Sequence, residues 1–242
     1  MNETLAPSAA APAPVRKPGR RFYTLMAVAI LLTVFAGFAP TFYLRGAGAK
    51  PLTPLMVIHG VLFTAWIALF VAQVRLVATK RTHIHRKLGL LAVVVAAAMV
   101  VAGTALGIAS AKAGFTPPGG PPPLVFLALP IADMIVFPTL VGLGFFFRRK
   151  SEVHKRLMLL STLAILTPAI ARISIVAPYG IPAFFGITDL FIISALVYDR
   201  VRNGRIHPAF LWGGLFVILS HPARFLIAGT PAWHSTATWL TR

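Results

Sequence analysis

Apolar residues in this chain come in long unbroken runs rather than in the alternating or one-faced patterns of soluble strands and helices. Seven such runs occupy 22–44, 52–78, 87–111, 123–147, 156–177, 181–198 and 208–229. Each is close to the roughly 20 residues that a helix needs to cross the hydrocarbon core of a bilayer. The pattern predicts an all-α, polytopic membrane protein: a bundle of seven transmembrane helices. Residues 1–20, rich in Ala and Pro, read as a disordered tail. Residues 21–230 read as the transmembrane domain, and 231–242 as a short interfacial tail anchored by Trp233, Trp239 and Leu240. The first run exceeds the roughly 7–15 residues of a signal-peptide core, so it reads as an anchor.

Composition agrees with this pattern. Of 242 residues 57% are hydrophobic and 12% charged, too few for the surface of a soluble domain. The net charge of +18 suggests nucleic acid as a partner only if the bases form one folded face. Here they cluster in alternate loops: Arg16 to Arg21, Lys80 to Lys87, Arg148 to Arg156 and Arg200 to Arg205. The positive-inside rule then places the N-terminus in the cytoplasm and the C-terminus outside a plasma (inner) membrane, against anionic headgroups. With no cysteine, disulfides, thiolate metal sites and iron–sulfur clusters are excluded. No phosphate-binding P-loop or His-Glu-x-x-His motif occurs, and the seventh run lacks a lysine for a retinal Schiff base.

Ionisable residues inside a bilayer are costly, so they are the candidates for function. Counted from the outer helix ends, His59, Asp189 and His221 lie roughly 10–13 Å deep, Asp133 about 15 Å and Arg172 and Arg224 roughly 8 Å. Five helices thus bring polar groups to one layer. His59 and His221, with Asp133 and Asp189, could ligate a transition metal or the iron of haem b for electron transfer, and Arg172 could pair with Asp189 or a propionate. The same residues could serve a metal-dependent hydrolase inside the membrane, a proton-coupled transporter, or only the helix contacts of an accessory subunit in a respiratory complex. No catalytic residue is assigned. A second ligand set on the inner side is His85, His154 and His207, each near a helix start among basic residues, where imidazole is kept neutral. The competing reading of these three is contact with lipid headgroups.

His85-Arg-Lys-Leu-Gly-Leu-Leu-Ala is echoed by His154-Lys-Arg-Leu-Met-Leu-Leu-Ser, and His207-Pro-Ala-Phe-Leu opens the last helix in the same way. This pattern suggests one helix followed by three parallel two-helix units. With His59-Gly-Val-Leu-Phe-Thr-Ala-Trp, Gln73-Val-Arg-Leu-Val and Thr188-Asp-Leu-Phe, these blocks resemble a family of uncharacterised bacterial seven-helix membrane proteins. The His-Lys-Arg-Leu-Met element is also similar to one in small four-helix membrane proteins implicated in haem–copper oxidase assembly. Paired histidines on neighbouring helices are similar in style to cytochromes of the b561 type. These resemblances imply haem or a metal as cofactor and a respiratory-chain partner.

Overall fold

A computed structural model describes residues 19–242; the expected N-terminal tail lies outside the described residues. Among these residues the structure is helical without strands, and seven helical stretches are long and apolar enough to cross a membrane. The chain is a multi-pass membrane protein of the predicted all-α class. Large apolar side chains such as Leu25, Val101, Phe146, Trp212 and Leu226 point outward, as lipid-facing residues do.

The first span is α1 (Arg20–Phe38), extended by a wider π-helical turn over Ala39–Tyr43 around Pro40. Then come α2 (Pro54–Ala78) and α3 (Thr82–Lys112). The fourth span is a short α4 (Pro123–Phe126) leading into α5 (Ala128–Phe146). The fifth is α6 (Ser151–Ala164) followed by α7 (Thr167–Ile170), and the last two are α8 (Gly180–Asn203) and α9 (Pro208–Ala228). The expected interfacial tail is a helix, α10 (Pro231–Leu240), whose Trp233 indole donates to the Leu124 carbonyl at 2.8 Å.

Some expected boundaries move. The third span begins at Thr82 rather than 87, because backbone hydrogen bonding continues through basic residues that hydropathy excludes from the bilayer. The fifth run, 156–177, is not one helix. Pro168 has no N–H and its ring opposes the carbonyl of Ala164, so α6 ends there and only one further turn forms. Turns then carry the chain through 171–176.

α6 is the centre of the bundle, with every residue from Leu159 to Ala164 buried. Around it, α1 packs on α2 and α7, α3 on α2 and α5, and α9 on α5, α6 and α8. Lipid supplies no hydrophobic drive between spans, so close packing through small residues matters. At Gly37 a Cβ would stand 2.1 Å from the Ala169 carbonyl oxygen, so only glycine lets α1 cross α7 this closely. In the core, Trp66 meets Phe137 edge-on at 4.9 Å and its indole N–H donates to Thr162 Oγ1 at 3.3 Å.

Candidate functional site

At the sparsely charged end of the bundle, α5, α8 and α9 each turn ionisable side chains inward. Asp133 on α5 accepts from Arg224 Nη1 at 2.7 Å, and both side chains are buried. Arg224 Nη2 also reaches Ser220 Oγ at 3.2 Å. One turn back on α9, His221 Nδ1 lies 3.0 Å from Asp189 Oδ1 on α8. The two atoms are out of line for a hydrogen bond. His221 is only 4% exposed, yet among the described residues neither ring nitrogen has a hydrogen-bond partner, and Asp189 Oδ1 has none either. Phe185, one turn before Asp189, lies under the His221 ring at 4.2 Å and beneath the Arg224 guanidinium at 5.3 Å.

The charge count is informative. Asp133 and Arg224 cancel. With His221 neutral, Asp189 leaves the group carrying one negative charge, which is expensive at this depth. One proton taken up by the His221–Asp189 pair would neutralise the group. Backbone geometry adds to the polarity, because Pro222 follows His221 inside α9 and frees the Ile218 carbonyl. The broken fifth span touches the same place: Thr167 and Thr188 share a hydroxyl hydrogen bond of 2.8 Å, and Thr188 precedes Asp189.

Not all the expected residues join this group. The His59 ring stacks on Phe63 of its own helix at 4.1 Å, and no ring contact joins it to His221 among the described residues. Its helix packs mainly on α1 and α3, whereas His221 sits on α9. At this end His59 and His221 are thus not in ring contact with each other. Arg172 is a second correction. Because the fifth span unwinds, it lies in a turn, donates to the Pro168 carbonyl at 2.7 Å and covers Phe38; it does not pair with Asp189. Arg224 is the counter-ion of Asp133, not of Asp189. Among the described residues, no three His, Asp or Glu are close enough to hold one metal ion.

At the basic end the expected trio divides. His85 and His154 meet with ring centres 6.1 Å apart. His207 is elsewhere: it caps α9, its Nδ1 accepting from Ala209 N–H at 3.1 Å, and that bond occupies the lone pair a metal would use. Burial, with Arg156 acting in the same direction, pushes its imidazole below the ordinary value and keeps it neutral. Sequence reasoning missed the group beside it. Asp199, fully buried on α8, accepts from Arg156, from Asn203 Nδ2 at 2.7 Å and from the His207 backbone N–H at 2.7 Å. Arg156 also bonds the Glu152 carboxylate at 2.7 Å. The signal was the scarcity of acids, which makes each one a necessary partner for some buried base.

No protein-family model, curated protein or solved structure matches the chain.

Proposed function

We propose that this membrane protein is a proton relay whose working group is the His221–Asp189 pair, with the Asp133–Arg224 ion pair as its fixed electrostatic frame. The observation that carries this reading is His221 itself: a buried imidazole with two unpartnered nitrogens, beside a carboxylate, in a group one positive charge short of neutral. Imidazole titrates near neutral pH and is the ordinary vehicle for such exchange. Beside the pair the buried hydroxyls of Thr167 and Thr188 share a hydrogen bond of 2.8 Å, and each can both donate and accept a proton. By the positive-inside rule the basic end faces the cytoplasm, so the pair lies in the outer half of a plasma membrane.

The test is proton entry into vesicles that hold the purified protein and a trapped pH dye, driven by an imposed potential. Wild-type protein is expected to exceed protein-free vesicles, and Asp189→Asn and His221→Phe to fall to the protein-free rate. Equal rates for wild type and His221→Phe, or no excess with the wild type, would refute the relay.

A further inference from the structure

The proton relay makes no use of the contact between His85 and His154, which lies at the other end of the bundle. The geometry points to a binding site for a monovalent soft metal ion, Cu+, held between these two imidazoles.

His154 Nδ1 lies 2.8 Å from the Gly144 carbonyl oxygen. A carbonyl can only accept, so Nδ1 carries the proton and Nε2 carries the free lone pair. A backbone carbonyl fixing the tautomer and aim of the ring is the usual support of a metal-ligating histidine. On His85, Nδ1 is buried and has no hydrogen-bond partner among the described residues. The neighbouring Gln73 Oε1 is buried and unpartnered as well. The two histidines thus offer His85 Nδ1 and His154 Nε2 without a hydrogen bond among the described residues, and at His85 the atom is buried, where leaving it unfilled is costly. Ring spacing fits the same idea. Metal–nitrogen bonds of about 2 Å on either side of one ion put the centres of two opposed imidazoles about 6 Å apart. The observed separation is 6.1 Å with the ring planes at 80°, an angle that a two-coordinate ion permits because each ring can turn about its metal–nitrogen bond.

The donor set selects the ion. No carboxylate stands with the pair to offset a divalent charge, and a third His, Asp or Glu is absent among the described residues. Zinc asks for four ligands, commonly with anionic ones among them. Two neutral imidazoles suit a singly charged ion of low coordination number. A thioether stands close by: Met158 lies one turn beyond His154 on α6, and its sulfur would be 2.9 Å from a Cβ at Gly144, the residue that His154 bonds. Thioether sulfur favours Cu(I) over harder ions. The small residue at 144 is what lets both the imidazole and the thioether crowd against α5.

The experiment uses the full chain in detergent, stripped of metal and titrated with Cu+ under reductant against a chromogenic Cu+ chelator. One tightly held ion per chain is expected. His85→Ala and His154→Ala should each lose it, Met158→Leu should weaken it, and His207→Ala should keep it. Folding of each variant is checked by its elution as a single species and by its helical circular dichroism. Should a histidine variant misfold, X-ray absorption at the copper edge of the wild type decides, since two imidazole nitrogens must appear as neighbours. Failure of folded wild type to compete with the chelator overturns the site. So does retention of the ion by the His85→Ala/His154→Ala double variant, or equal retention of Zn2+ by the wild type.

Discussion

Asp189 and Asp199 sit on the same helix, α8, and are treated in opposite ways. Asp199 is saturated: Arg156, Asn203 and the His207 backbone all donate to it, and it is fully buried. Asp189 is half open and touches a histidine out of line, with one oxygen unpartnered. A carboxylate with all its donors in place holds helices together. One left short of donors is free to change its partner or its protonation, and this is what a working group requires. The Asp133–Arg224 pair belongs with the first kind, although it stands beside the second.

The contrast can be broken most directly at its strong side. Asp199→Ala leaves Arg156 buried without its main partner, and the loss of stability should be about 3–5 kcal/mol. Asp133→Leu should cost a comparable amount, about 3–5 kcal/mol, by stranding Arg224. Adding Arg224→Met to it should restore most of the loss, since an apolar pair of similar volume replaces the ions. Tryptophan fluorescence during denaturant unfolding in micelles measures both; equal losses for Asp189→Ala and Asp199→Ala would erase the distinction. A smaller change is expected at His221→Phe. It removes two unpartnered nitrogens and keeps the stack on Phe185, so stability should stay within about 1 kcal/mol of wild type or rise, while proton entry disappears. The smallest effect is at His207. His207→Ala should cost about 1 kcal/mol as a lost helix cap, and His207→Asn should cost less. Because the folded imidazole lies below its ordinary value, the cap contributes fully above that value and is lost as pH falls through the lowered one. His207→Asn should therefore flatten the acid side of the stability profile.

The fold was legible because membrane spans are read by length and apolarity, and these depend on the bilayer rather than on packing. Six of the spans cover their apolar runs, although the third starts early at Thr82 and the sixth ends late at Asn203. The exception is the fifth, where hydropathy is blind to the backbone: Ile165, Leu166 and Ala169 read as membrane residues whether or not Pro168 interrupts the helix. The site was legible only as a depth. Depth grouped His59, Asp133, Asp189 and His221, but the rotation of each helix decides which of them meet, and a run apolar on all sides carries no signal for rotation. Hence His59 and Arg172 turned away from the group, and Arg224, read only as shallow, became the partner of Asp133. His85 and His154 read both as a repeat and, with His207, as a ligand set; the structure brings the first two rings to 6.1 Å, centre to centre, and leaves His207 apart.

The position of His221 in α9 also sets how the membrane potential would act on it. From there to the end of the helix at Ala228 is about 10 Å, roughly a third of the hydrocarbon thickness. A proton that reaches His221 from the nearer surface therefore crosses only about a third of the electric field, with work of about 0.8 kcal/mol per 100 mV. Occupancy of the pair would depend weakly on voltage. The remaining two thirds of the field would fall on passage from the pair toward the basic end, so that passage, rather than the pair, would set most of the voltage dependence of flux.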